Sequence, residues 1–223
     1  MIIGGLQKTS LLDFPDKISA IVFTAGCNFR CGYCHNPELI NSIAPVQDVF
    51  EFLKTRVGRL DGVVITGGEP CLQKDLPEFI KKIKSLGFAV KLDTNGSFPE
   101  MLATVLPDID YIAMDIKAPL EKYQDITGWH GCIDDIARSI QMIMNSGVDY
   151  EFRTTVVKGQ LEFDDFQQIG KLLNGAKRYY LQKFVPSKVL DETFCAKTSY
   201  SDTQFETCLL YTSPSPRDMR RSR

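Results

Sequence analysis

The chain has 223 residues, 43% of them hydrophobic and 24% charged, with a formal net charge of −2. That suits one globular domain with a core large enough to need no disulfide staples, and gives no electrostatic case for binding nucleic acid or an anionic membrane. No apolar run approaches a bilayer span, Met1-Ile-Ile-Gly-Gly lacks the pattern of a signal peptide, and seven cysteines with no secretion signal argue against a disulfide framework. Unpaired thiols fit a reducing cytoplasm, which is the expected location.

In chain order, Ile18 to Phe23 reads as a strand that runs into the cysteine-bearing stretch Cys27-Asn-Phe-Arg-Cys31-Gly-Tyr33-Cys34. Val46 to Val57 reads as a helix with an apolar stripe of Val49, Phe50, Leu53 and Val57. Gly62 to Thr66 is the second strand, followed by a helix opened by Asp75, with Glu78 three residues on as a capping box and Gly87 as its stop. Phe88 to Leu92 and Tyr111 to Met114 are the next strands. A helix carrying Ile133, Ile136, Ile140 and Ile143 ends at Gly147, and Tyr150 to Val157 is strand five. Phe166, Ile169, Leu172 and Leu173 mark another helix, and Tyr179 to Val185 is strand six. Strands alternating with helices predict an α/β fold with a parallel sheet, and six βα repeats are too few for the closed eight-stranded barrel. The expectation is an open, six-stranded, mainly parallel partial barrel. From Cys208 to Arg223 the apolar period fails, and Pro214, Pro216 and four arginines appear. The segment resembles translated sequencing-adapter read-through, so the core domain is expected to span 1–207 and 208–223 to be a non-native or disordered tail.

Chemistry concentrates in a few short motifs. Three cysteines spaced C-x3-C-x2-C on one loop can supply three thiolates to one inorganic centre, leaving one iron of a [4Fe–4S] cluster open. A zinc site wants four ligands, and the only nearby fourth is His35; a thioredoxin-type C-x2-C has no need of Cys27. Ligand sites in parallel α/β folds gather where strands end. Strand two ends in Gly67-Gly68-Glu69-Pro70, where glycines admit a close backbone approach and a carboxylate can hold an ammonium group. Strand three ends in Asp93-Thr94-Asn95-Gly96, which by itself also reads as an Asn-Gly turn. Strand four ends in Met114-Asp115-Ile116-Lys117; alternation puts Asp115 and Lys117 on one face, and pattern alone leaves an internal salt bridge equally open. Strand five contributes Arg153, while Gln182 and Lys183 on the last strand are weaker candidates for the substrate end of a cavity. Cys71, Cys132 and Cys195 read as packed or incidental thiols, and Trp129 and His130 are assigned no role.

The cysteine loop, with an aromatic before its last cysteine, resembles the signature of the radical S-adenosylmethionine (SAM) enzymes. The resemblance implies a [4Fe–4S] cluster on Cys27, Cys31 and Cys34 whose open iron chelates the amino and carboxylate groups of SAM. It further implies SAM contacts from Tyr33, Cys34, His35, Gly67, Gly68, Glu69, Pro70, Asp93, Asn95, Asp115, Lys117 and Arg153, with the Gly-Gly-Glu-Pro turn gripping the methionine amine. Over residues 1–206, including Gly5-Leu-Gln-Lys-Thr-Ser-Leu-Leu-Asp-Phe-Pro15 and Cys34-His35-Asn36-Pro37, the chain is most similar to the activating proteins of anaerobic (class III) ribonucleoside-triphosphate reductase. That similarity implies reductive cleavage of SAM to a 5′-deoxyadenosyl radical, which takes hydrogen from one glycine of the partner. A reduced flavodoxin or ferredoxin is the implied electron donor, and neither nucleic acid nor membrane is an expected partner. The alternatives are an activase of another, formate-lyase-like glycyl radical enzyme, or a small-molecule enzyme such as 7-carboxy-7-deazaguanine synthase, whose cysteine loop is longer. A non-catalytic iron–sulfur or zinc protein is the reading from a different class.

Overall fold

A computed structural model describes residues 1–41 and 48–212. The strands are β1 (Ile3–Ser10), β2 (Ser19–Thr24), β3 (Gly62–Gly67), β4 (Ala89–Thr94), β5 (Tyr111–Asp115), β6 (Asp149–Val156) and β7 (Tyr179–Lys183). The helices are α1 (Val49–Lys54), α2 (Leu76–Ser85), α3 (Pro99–Val105), α4 (Tyr123–Thr127), α5 (Asp134–Asn145), α6 (Phe163–Leu172) and α7 (Asp202–Thr212). The strands form one seven-stranded sheet in sequence order, parallel throughout except for the antiparallel pair β1–β2. The six expected strands are present as the parallel part of an open α/β barrel. β1 is an addition: its glycine pair and polar second half hide it from a period-2 reading, and Gly4 lies where the Leu39 side chain packs against bare backbone.

Both faces of the parallel sheet are buried, which is why its strands read as nearly continuous apolar runs. One face packs Ile65, Leu92, Ile112 and Phe152 against Ile80, Ile140 and Phe166 of the helical layer. The other face lines the barrel lumen. Its floor is sealed by Phe14 from the β1–β2 loop, packed with Ile21, Val64 and Tyr111. Phe14 and Tyr111 have ring centroids 6.2 Å apart.

Two local expectations change. Helix α1 begins at an N-cap, Asp48, whose carboxylate accepts from the Phe50 and Glu51 amides at 3.0 and 3.3 Å. It ends at Lys54, so Val57 is exposed; Val46 lies outside the described residues. At α2 the apolar stripe is as expected, but no capping box forms, because the Asp75 carboxylate is taken by the amino group of Met1. Helix α7 runs on from Asp202 to Thr212, with Cys208 buried, and residues 213–223 of the expected tail lie outside the described residues. Among the described residues no helix is long and apolar enough to cross a membrane.

Phe14 is 3% exposed and is the only aromatic the β1–β2 loop lends to the lumen floor. Phe14→Ala should therefore cost about 3–5 kcal/mol of folding stability, read from urea denaturation. A loss below about 1 kcal/mol would mean that the loop does not close the barrel.

Candidate functional site

Every sequence-predicted motif lies at the carboxyl end of its strand, at the same end of the barrel. The loop after β2 bears Cys27, Cys31 and Cys34, and all three line one cavity. Its empty space, counted out to the open mouth, is about 870 Å³. None of the three is in a disulfide. Burial pushes the Cys27 thiol up to about 12 and raises Cys31 as well. Both thiols are therefore protonated at neutral pH, and binding a metal centre must release those protons. Among the described residues no three His, Cys, Asp or Glu side chains converge as on a single metal ion. A cubane cluster, which takes one thiolate per iron, needs no such convergence, so three free thiols facing one cavity fit it.

The loop is tied down from several sides. Gly26 donates to Leu39 O at 2.7 Å, and Arg30 N donates to Thr127 O at 2.6 Å. The Arg30 guanidinium donates back to the carbonyls of Cys27 and Phe29 at 2.6 and 2.8 Å. The Phe29 ring lies between Tyr123 and Trp129, with centroids 6.2 and 5.4 Å away. From the segment after β7, Asp191 N donates to Gly32 O at 3.0 Å, and Phe194 sits over Gly32, where a Cβ would collide with its ring. His35 stacks on Phe184 at 5.4 Å, and its Nδ1 lies 2.9 Å from Ser187 Oγ.

Gly67 takes φ +111°, a conformation that favours glycine, and any Cβ on Gly68 would run into the Gly26 carbonyl. The two loops consequently touch backbone to backbone, with Gly68 N donating to Thr24 O and Glu69 N to Gly26 O, both at 2.8 Å. Both glycines line the cavity, but Glu69 and Pro70 do not. The resemblance led to an expectation of Glu69 as a SAM contact; in the structure its side chain turns to protein donors. Its carboxylate is fully buried and accepts from Cys71 N at 2.9 Å, Thr94 Oγ1 at 2.7 Å and Asn95 N at 2.7 Å. Burial raises its pKa, and these donors offset only part of that rise. Glu69 thus ties the end of β3 to the end of β4. Asn95 does line the cavity and is itself held by Asn28 and Ser97, at 2.9 Å (Asn95 Nδ2 to Asn28 Oδ1) and 2.6 Å (Ser97 Oγ to Asn95 Oδ1).

Asp93, Asp115, Lys117 and Arg153 share the cavity wall. Lys117 Nζ donates to Asp115 Oδ2 at 3.0 Å, so the salt bridge left open by the sequence is formed, and it faces the cavity. Arg153 Nε donates to Asp115 Oδ1 at 2.9 Å, and its other nitrogens reach Asp93 Oδ2 at 3.2 and 3.3 Å. Burial alone would raise the Asp115 pKa; the Arg153 and Lys117 charges outweigh it and hold the carboxyl well below the usual carboxylate range. Burial likewise opposes the Lys117 charge, and Asp115 overrides it, keeping the ammonium charged. The Tyr33 hydroxyl is buried at the same wall and has no hydrogen-bond partner among the described residues. Gln182 and Lys183 do not line the cavity, and Lys183 pairs with Asp202.

The residues sequence reasoning missed are the supports: Asn28, Ser97, Trp129, Phe184, Ser187, Asp191 and Phe194. Only Asn28 carried a usable signal, as a polar residue inside the cysteine loop.

Glu69→Ala should cost roughly 2–4 kcal/mol, because buried amides of Cys71 and Asn95 lose their acceptor, while Glu69→Gln, which keeps one carbonyl oxygen, should cost less. Urea titrations of both variants check this; an Ala variant as stable as the parent would return Glu69 to the role of a ligand contact. Asp115 gives an acid-side test. Its depressed folded pKa stabilises the fold above the unfolded value of about 3.9, and that contribution is lost as pH falls through and below it. Melting temperatures between pH 7 and pH 2 should therefore fall more steeply for the parent than for Asp115→Asn, and parallel curves would contradict the ion pairs.

Residues 21–173 match the family described as the Radical SAM superfamily. The chain is 34% identical to a Methanocaldococcus jannaschii protein named as a glycyl-radical enzyme activating enzyme, over 86% of this chain and 84% of that one. It is 28% identical to 7-carboxy-7-deazaguanine synthase of Thermococcus kodakarensis, over 74% of each chain. In fold it resembles a crystallised domain of pyruvate-formate lyase-activating enzyme from Bacteroides vulgatus, with a TM-score of 0.54 at 16% identity, covering 72% of this chain and 98% of that one. With the three-thiol cavity and the open parallel sheet, these matches establish that the chain belongs to the radical SAM superfamily of enzymes, which use a [4Fe–4S] cluster and SAM.

Proposed function

We propose that the protein is a glycyl-radical enzyme activating enzyme and that its target is an anaerobic (class III) ribonucleoside-triphosphate reductase. The observation that carries the reading is the single cavity in which three thiols of one loop face Asp115, Lys117 and Arg153. On this reading Cys27, Cys31 and Cys34 hold the cluster, and the cluster with SAM supplies one-electron reductive cleavage and hydrogen-atom abstraction.

The chain's own contribution is binding and orientation. Gly67 and Gly68 let backbone come close to the ligand, and Asn95 offers an amide held by Asn28 and Ser97. Lys117 spends one of its N–H donors on Asp115, leaving the others for an anionic group in the cavity. Asp115 and Arg153 hold fixed opposite charges beside it, so a zwitterionic ligand is met by charge-assisted hydrogen bonds. Holding such a ligand beside the thiols removes a diffusional search from the electron-transfer step.

A macromolecular substrate suits a barrel whose sheet ends in two separate edge strands, β1 and β7, because a glycine-bearing loop must enter from outside. The reductase is favoured by the likeness over residues 1–206, from the Gly5–Pro15 opening onwards, and by the absence of further cysteine motifs between Cys34 and Gly67. A reduced flavodoxin or ferredoxin fits as the one-electron donor. The second reading, a small-molecule radical SAM enzyme, draws its support from the identity to 7-carboxy-7-deazaguanine synthase.

Anaerobic reconstitution with reductant, SAM and the class III reductase should give a SAM-dependent glycyl-radical doublet in the electron paramagnetic resonance spectrum. Formation of 5′-deoxyadenosine without the doublet would reject this partner and keep the enzyme class. Cys31→Ser should abolish both signals, since it removes one of the three thiolates.

A further inference from the structure

Below the cavity, the lumen holds two more charged side chains that no motif marks. Lys91 shares a face of β4 with Asp93, and Glu151 shares a face of β6 with Arg153. Lys91 Nζ lies 3.4 Å from Asp93 Oδ1 and 4.0 Å from Glu151 Oε1, and donates to the Asp13 carbonyl of the floor loop at 2.5 Å. Glu151 Oε1 lies 3.8 Å from Arg153, and its other oxygen accepts from Tyr111 Oη at 2.8 Å. With Asp115 and Lys117 this makes three cations and three carboxylates stacked along the lumen. Side-chain exposure rises from 4% at Lys91 to 31% at Asp115, so the lower charges are the ones most cut off from water.

Arg153 is the hinge of this stack. Among the described residues it is the only side chain paired with the upper carboxylate, Asp115, as well as with the lower ones, Asp93 and Glu151. Its orientation therefore depends on how much negative charge lies beneath it. Lys91 offsets part of that charge; removing it leaves two carboxylates facing one guanidinium in a poorly solvated space, where an uncompensated charge is costly.

We infer that Lys91 and Glu151 are positioning residues for the cavity. Their opposite charges balance the lower lumen, so that Arg153 stays bonded to Asp115 and Asp115 stays aimed at the ligand. Neither residue lines the cavity, so they act through Arg153 and touch no ligand. The inference rests on the reading of the cavity as a SAM site, and on nothing about the protein partner.

The test is equilibrium SAM binding to the anaerobically reconstituted protein by calorimetry, with neither reductant nor reductase present. Lys91→Met should weaken SAM binding by about tenfold or more, and Lys91→Arg should stay within about threefold of the parent. Adding Glu151→Gln to Lys91→Met restores the charge balance and should recover most of the loss, which a merely structural role for Lys91 would not allow. If Lys91→Met alone does not fold, the same comparison is made between Lys91→Met/Glu151→Gln and the parent, which should bind SAM within about threefold of each other. A crystal structure of Lys91→Met, or of Lys91→Ala in its place, should show Arg153 withdrawn from Asp115 towards Asp93 and Glu151. Parent-like binding by Lys91→Met, a double variant as weak as Lys91→Met, or an unmoved Arg153 would overturn the inference. Failure of the parent itself to bind SAM would overturn both this and the site reading, whereas SAM binding without a glycyl radical would overturn only the proposed partner.

Discussion

Three cysteines on eight consecutive residues can face one cavity only if something outside the loop holds its backbone there. A free loop of that length pays conformational entropy for every residue it orders, and thiols alone return little before a metal centre binds. Here the restraint comes from elements far apart in sequence: Leu39, Thr127, Asp191, and the rings of Tyr123, Trp129, Phe184 and Phe194. The close approach of Gly68 to Gly26 completes it, and Glu69 locks the strand ends that carry that contact. The ligand-facing groups are thus the visible part of a larger constraint, in which protein contacts from outside the loop set its shape.

Polar groups inside the fold follow the same economy of satisfaction. Glu69 spends its carboxylate entirely on protein donors, and the lumen charges neutralise one another along the barrel. Against that background two sets of groups at the cavity stand out: the Tyr33 hydroxyl, which has no hydrogen-bond partner among the described residues, and the remaining N–H donors of Lys117. Both belong to side chains lining the cavity, where a ligand would complete them.

Much of this was legible in the sequence where the backbone is regular. The six parallel strands announced themselves because two buried faces force long apolar runs. Asp115 and Lys117 were placed on one face by alternation alone, and this held beyond the end of β5 because Ile116 N still bonds to Arg153 O. The direction of the Glu69 side chain could not be read in this way. The residue sits just past β3, where the chain turns irregularly around Gly67 and periodicity no longer says which way a side chain points. The brace from Phe184 to Phe194 was invisible for a different reason, since its contacts join residues separated by more than half the chain. Asp75 shows a third kind of miss: the capping pattern was present, but a distant amino group competed for the carboxylate and won.

Trp129 is the only tryptophan in the protein, and its ring rests on Phe29 between the first two cysteines of the loop. Its tryptophan fluorescence, excited selectively at the red edge where tyrosine does not absorb, therefore originates at one address. An emission-monitored transition reports the loosening of the cysteine loop from α4 and its neighbours, which can precede the global transition seen by circular dichroism. Iron–sulfur chromophores absorb broadly, so a centre assembled on the loop would quench that same emission by proximity. The packing that steadies the loop thereby also makes it optically self-reporting.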